Sequence, residues 1–321
     1  VKKNFARTFG QDLMRGENVK YQQQRSKNRG GMCDRLAPKK NMKNNKEQSE
    51  PSRGFGNSET VPKGEYAYPT EALTQSGTSI FDPVLCELVY RWFCPQNGTI
   101  LDPFAGGSVR GIVANYLGYH YTGIELRKEQ VEANTPQGQN LCPNNPPAWI
   151  NGDSRNINIL TKNKQFDLVF SCPPYGDLEV YSDLENDLST LPYKEFIQDY
   201  RVIIANCIKQ LKDDRFACFV VGDFRDKKGF YNNFVADTIT AFHDGGMTLY
   251  NEGILVTSVG SLPIRVTKQF QSGRKLGKTH QNVLVFYKGD PKNIKDVFGD
   301  VYIDDSLFVD DSVANKYGEV L

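Results

Sequence analysis

The chain has 321 residues, of which 39% are hydrophobic and 24% charged, and 39 Lys/Arg against 38 Asp/Glu leave a net charge of +1. That length allows two domains at most, or one large α/β domain with appendages. The charge balance excludes a uniformly basic or uniformly acidic binder, but not a polarised one. No apolar run is long enough to span a bilayer. The chain opens on Val1 without Met and without an apolar signal-peptide core, so a processed product or a piece of a longer protein is expected. Seven cysteines, an odd number with no CxxC, point to a reducing, cytosolic compartment. The three histidines, His120, His243 and His280, lie far apart. Neither a His/Cys metal site nor a Ser-His-Asp triad is expected.

Residues 1–50 are Gln/Asn-rich and basic, with 13 Lys/Arg against 5 Asp/Glu. Such a segment buries too little apolar surface to offset its ordering entropy. It reads as a solvated extension or as an arm that touches nucleic acid, and residues 1–75 are set apart on this basis. Ordered structure is expected from about residue 76 to 290. Residues 83–93 (PVLCELVYRWF) carry helical spacing, with Pro83 at the start. Strands are expected at 99–101, 119–124, 148–151, 166–170, 216–221, 254–258 and 282–287. Helices are expected at 107–117, 127–133, 193–211 and 230–242. Alternating strands and helices imply parallel βαβ units in a doubly wound, seven-stranded, mostly parallel sheet. No helical pattern separates the last two strands, so they are expected to form an antiparallel hairpin with a long tip, residues 259–280. That tip holds Arg265, Lys268, Arg274, Lys275 and Lys278 and no acid, a candidate phosphate-contacting surface. Residues 291–321 form an acidic tail with 7 acids and 3 lysines.

Four constellations carry chemistry. Asp102-Pro103-Phe104-Ala105-Gly106-Gly107-Ser108 lies where the first strand turns into a helix. Glycines there let the backbone approach a ligand, and the helix start offers free N–H groups. Neither GxGxxG nor Gly-Lys-Ser/Thr is present, which argues against NAD and ATP. Glu125, about 20 residues on at the end of the second strand, suits two ribose hydroxyls. Asp153, after the third strand, could accept from an adenine amino group. Ser171-Cys172-Pro173-Pro174-Tyr175 follows the apolar strand FDLVF. Two prolines give a rigid backbone without N–H groups, whose carbonyls point outward, and the aromatic ring after them suits a flat base.

These motifs resemble those of S-adenosylmethionine-dependent DNA amino-methyltransferases. Asp102–Gly107 looks like their first motif and Cys172–Tyr175 like their (D/N/S)-P-P-(Y/F/W) motif. Ser79-Ile80-Phe81-Asp82-Pro83 is similar to the motif preceding the first in one circular order of the fold, and Gln281–Tyr287 resembles their closing strand. The resemblance spans roughly residues 76–289 and implies a Rossmann-like methyltransferase fold. It implies that Phe81 packs on the methionine part of S-adenosylmethionine, with Asp82 nearby. Asp102, with the turn Pro103, Phe104, Ala105, Gly106 and Gly107, would hold its amino acid end, Glu125 its ribose and Asp153 its adenine. It further implies a flipped DNA base, with Pro173 accepting from its amino group and Tyr175 stacking on it. The sequence departs from the motif at Cys172, where a thiol, a weak acceptor, replaces Asp, Asn or Ser. Ser171 points to the opposite side in an extended chain, so a Cys172 thiolate, Asp177 or Glu179 would have to supply the acceptor. Adenine N6 is favoured slightly over cytosine N4. Two alternatives stand: methylation of RNA or of pyrimidine carbon-5 with Cys172 as nucleophile, and a binding module that keeps the fold without turnover.

Overall fold

The computed structural model describes residues 81–176, 181–184, 186–257, 259 and 262–301. The expectations for residues 1–80, for Asp177 and Glu179, and for the tail from residue 302 fall outside these.

Helix α1 (Pro83–Phe93) begins where expected. The Asp82 carboxylate accepts from the N–H groups of Val84 (2.8 Å) and Leu85 (3.2 Å), and Pro83 occupies the first turn, where its missing N–H costs nothing. There follow β1 (Thr99–Asp102), α2 (Val109–Tyr116), β2 (His120–Glu125), α3 (Lys128–Leu141), β3 (Ala148–Asn151), α4 (Ile157–Leu160) and β4 (Phe166–Ser171). The second half holds α5 (Tyr193–Gln210), β5 (Leu211–Val221), α6 (Phe234–Asp244), β6 (Thr248–Val256), α7 (Leu262–Gly273), β7 (His280–Lys288) and α8 (Ile294–Phe298).

The seven strands form one sheet in the order β3-β2-β1-β4-β5-β7-β6. The first five run parallel, and β7 is antiparallel to both neighbours. This is the Rossmann-like methyltransferase arrangement that the resemblance implies. Alternation along the strands divides the core in two. Leu101, Val169, Ala217, Phe219 and Val221 face one way and pack under α5 and α6. Ile100, Leu168, Phe170, Phe216, Cys218 and Val220 face the other way, under α1 and α2. Each fully buried Phe or Leu contributes about 1.5–3 kcal/mol. Both faces are therefore fixed, and the strand ends with them.

Several elements differ from expectation; β5 begins at Leu211 rather than 216, and α6 at Phe234 rather than 230. Helix α3 runs through Pro136 to Leu141 rather than stopping at 133. Pro136 and Glu132 are exposed, so the carbonyl that loses its N–H partner can turn to water. Strand β6 begins at Thr248, six residues early, because this edge strand is mostly exposed and lacks the alternation of a half-buried one. The hairpin between β6 and β7 is antiparallel as expected, but its tip contains α7. Leu262, Val266 and Gln269 supply its half-buried stripe. Past residue 290, Phe298 packs against Phe216 with ring centroids 5.1 Å apart, so α8 joins the second core cluster. Among the described residues no helix is long and apolar enough to cross a membrane.

Candidate active site

The five parallel strands deliver their carboxyl ends to one edge of the sheet. Strand β1 is flanked by β2 and β4, so the winding reverses between β1 and β4. Ligands bind outside such a switch point. The two segments leaving it are the Asp102–Ser108 turn and Cys172–Tyr175.

Asp102 is fully buried. One carboxylate oxygen accepts from the Phe104 N–H (3.0 Å) and the Ser171 hydroxyl (2.6 Å). The other accepts from Arg110 Nε (2.6 Å) and the Tyr121 hydroxyl (2.7 Å). A carboxylate offers about four such positions, so Asp102 is saturated. It fixes the turn and ties it to the Pro-Pro segment, and it has no acceptor to spare for a ligand. Ser171, turned inward, is fully buried, as expected from the alternation past Cys172. Arg110 also donates to the carbonyls of Phe104 (2.6 Å) and Ala105 (3.0 Å). Its guanidinium lies 4.6 Å from the Phe81 ring centroid, and Phe81 meets Phe170 edge-on at 5.7 Å. Sequence reasoning missed Arg110, although a cation eight positions after a buried acid, on the next helix, was available as a signal.

The backbone beyond Phe104 is what the turn presents. Gly106 has φ +53°, and a Cβ built on Gly107 would meet nothing within 4 Å. Open space beside a glycine turn at a strand end fits a bound small molecule. Glu125 reaches the same turn and accepts from the Gly106 N–H (2.8 Å) and the Arg127 N–H (2.9 Å). Burial raises its pKa despite these donors and the Arg127 charge. Asp153 is held by Arg155, which donates to it from its backbone N–H (2.9 Å), Nε (2.9 Å) and Nη2 (2.6 Å), and by Asn186 (3.3 Å). Burial alone would raise its pKa, but these bonds and the Arg155 charge hold it below the usual carboxylate range. Asp82 is engaged in capping α1.

In the second segment, Pro173 is buried and Cys172 half-buried, whereas the other five described cysteines are buried. Tyr175 meets Phe224 and Phe234 edge-on, at 6.2 and 6.1 Å. Its hydroxyl accepts from Gln281 Nε2 at the start of β7. Burial, and then the adjacent Cys172 sulfur, push the phenol far above its ordinary range. Tyr175, Gln281 and Lys278 converge on Gly222 at the end of β5. A Cβ there would lie 3.9 Å from Tyr175 Cε1, 3.8 Å from Gln281 Cγ and 3.7 Å from Lys278 Nζ. Lys278 thus lies beside the Pro-Pro-Tyr segment. The other basic residues of the tip do not gather there. Arg265 and Lys268 are exposed on α7, and Arg274 donates to the Phe270 carbonyl at the helix end (3.1 Å). Among the described residues no group of three or more His, Cys, Asp or Glu is arranged for a metal ion.

Residues 1–136 match the family model of N6/N4 methyltransferases, described as DNA methylase, the family that the motifs resemble. The matched span includes the Asp102–Gly107 turn and ends before Cys172. No curated protein matches the chain in sequence. Among solved structures, it is similar to TrmN from Thermus thermophilus, with 12% identity, TM-score 0.43 and coverage of 68% of this chain and 51% of that one. The chain thus spans about half the length of TrmN. A TehB-like SAM-dependent methyltransferase from Corynebacterium glutamicum gives 17% identity, TM-score 0.40 and coverage of 68% and 93%. Magnesium protoporphyrin IX methyltransferase from Synechocystis, solved with bound SAM, gives 14% identity, TM-score 0.41 and coverage of 68% and 90%. S-adenosylmethionine is the methyl donor of this class. The open glycine turn and Glu125 beside it fit its amino acid and ribose ends.

Proposed function

We propose that the chain transfers a methyl group from S-adenosylmethionine to an exocyclic amino group of a DNA base, with adenine N6 slightly favoured over cytosine N4. The observation that carries this reading is the Ser171–Asp102 hydrogen bond of 2.6 Å. It locks the glycine turn and the Pro-Pro-Tyr segment together at the switch point, so a methyl donor on one meets an acceptor on the other. Bound S-adenosylmethionine supplies an electrophilic methyl group on a sulfonium. The backbone of Phe104–Gly107 holds its amino acid end, Phe81 covers the methionine part, and Glu125 takes the ribose. Asp153, whose four positions are taken by Arg155 and Asn186, accepts from the adenine by releasing its longest donor, the Asn186 amide at 3.3 Å. Asp102 acts as a positioning residue for the turn.

The target amine is a poor nucleophile because its lone pair is delocalised into the ring. The Pro173 carbonyl, fixed by the Pro-Pro backbone, accepts one of its N–H bonds and draws the nitrogen toward tetrahedral geometry. Cys172 supplies the second acceptor in place of the family's stronger one. Tyr175, braced by Phe224, Phe234 and Gln281, offers its ring to the flipped base. Lys278, Arg274 and Lys275, with Arg265 and Lys268 on α7, meet phosphates.

One observation favours a second reading. Cys172 is the described cysteine that is not buried, as a covalent nucleophile toward pyrimidine carbon-5 would need to be. Cys172→Ser separates the two by labelled methyl transfer. An amine-methylating site keeps or gains activity, because a hydroxyl accepts better than a thiol. A covalent site loses its activity.

A further inference from the structure

We propose that the turn between β5 and α6 is one jaw of a cationic cleft that grips the phosphodiester backbone of duplex DNA. This rests on the DNA-methylating reading above and adds residues that no motif marks. A cavity of about 620 Å³ lies between this turn and the end of α7. Arg225, Lys228 and Phe230 line one side, and Gln269, Arg274 and Lys275 the other. Four cations from two distant segments thus face one space, and among the described residues no acid lines it.

The turn is built to hold this shape. Asp226 is folded back on its own turn, accepting from the N–H groups of Gly229 (2.7 Å) and Phe230 (2.8 Å). Gly229 has φ +98°, a conformation that a side chain would strain. Arg225 donates to the Gly229 carbonyl (2.8 Å) and lies 4.0 Å from the Tyr231 ring centroid. Arg225 and Tyr231 also form an isolated antiparallel bridge. Phe230 is nonetheless 70% exposed. A braced turn that holds an aromatic ring in water beside four cations fits nucleic acid, which offers phosphates to the cations and a sugar or base face to the ring.

The test uses the full chain and a fluorescein-labelled DNA duplex of about 30 base pairs, with anisotropy followed across salt concentrations. The double variant Arg225→Ala/Lys228→Ala should bind more weakly, with a log K against log salt slope shallower by about 1.8, or about 0.9 for each phosphate that is no longer neutralised. Arg225→Lys/Lys228→Arg should restore the slope. Phe230→Ala should weaken binding with the slope unchanged. S-adenosylmethionine affinity, measured by calorimetry, should stay the same in all three variants. An unchanged slope in the double Ala variant would overturn the cleft, whether or not the chain methylates DNA. A chain that shows the slope change but transfers no methyl group would overturn the proposed activity and leave the cleft standing. Failure of the unmodified chain to bind duplex would overturn both.

Discussion

Two buried aspartates anchor opposite edges of the same sheet, and their surroundings differ in an instructive way. Asp102 ends β1 and Asp167 begins β4. Both lie against cations: Asp102 meets Arg110, and Asp167 meets Lys212 (2.8 Å) and Arg215 (3.0 Å). Asp167 also accepts from the N–H and hydroxyl of Thr99 (3.0 and 2.9 Å). By burial and charge alone both would be candidate sites. Strand polarity separates them. At the carboxyl edge, the donors to Asp102 come from the turn, α2, β2 and Ser171 before the Pro-Pro segment, and open space begins at Gly107. At the amino edge, Asp167 staples three strand starts together, and the glycine beside it, Gly98, is packed against Cys94, Pro95 and Asp167 itself, with no open space. A buried, ion-paired acid is a functional clue only where the backbone around it leaves room for a ligand.

Substitutions can break or sharpen this contrast. Asp102→Ala strands the buried Arg110 charge and should cost about 3–5 kcal/mol in urea unfolding. Asp167→Asn should cost less, about 1.5–3 kcal/mol, because it removes hydrogen bonds to charged partners that water can partly replace. Its effect should also depend on pH. Burial raises the Asp167 pKa, but Lys212, Thr99 and Arg215 lower it further, from 3.8 to about 2. A depressed acid stabilises above its unfolded pKa and loses that contribution as pH falls through its folded one. Wild-type and Asp167→Asn stabilities should therefore converge as the pH drops from about 4 toward about 2. Parallel curves over that range would remove Asp167 as the origin.

Gly107→Leu tests the open space directly. Its Cβ has room, so unfolding should be nearly unchanged, while S-adenosylmethionine binding by calorimetry should weaken more than about tenfold, or 1.4 kcal/mol. Retained affinity would mean that the donor lies elsewhere. Gln281→Leu should have the smallest effect. Loss of one hydrogen bond to Tyr175, worth about 0.5–1.5 kcal/mol, should reduce methyl transfer several-fold and leave donor affinity unchanged.

Much of this architecture is legible in the sequence. FDLVF could only be a buried strand, and Pro83 after Asp82 marked the start of α1. The glycine turn and the Pro-Pro-Tyr segment fell at strand ends, so their meeting at the switch point followed from topology. What escaped reading has physical causes. Helix α7 buries no residue, so its apolar stripe was too weak to register between charged positions. The helix expected at 127–133 continues through Pro136 because that proline lies on the exposed side of α3, and the sequence does not say which face it occupies. The saturation of Asp102 was invisible because its partners, Arg110, Tyr121 and Ser171, come from three separate elements. Arg225, Lys228 and Phe230 carry no motif, and only the fold brings them opposite Arg274 and Lys275.

The central claim is most directly tested by incubating the chain with radiolabelled S-adenosylmethionine and unmethylated duplex DNA, then digesting the DNA for nucleoside mass spectrometry. Label is expected in N6-methyladenine, or in N4-methylcytosine should the pocket prefer the smaller base. Label in 5-methylcytosine would contradict the amine mechanism and assign Cys172 as a nucleophile. Donor binding with no label in DNA would contradict the proposed activity altogether.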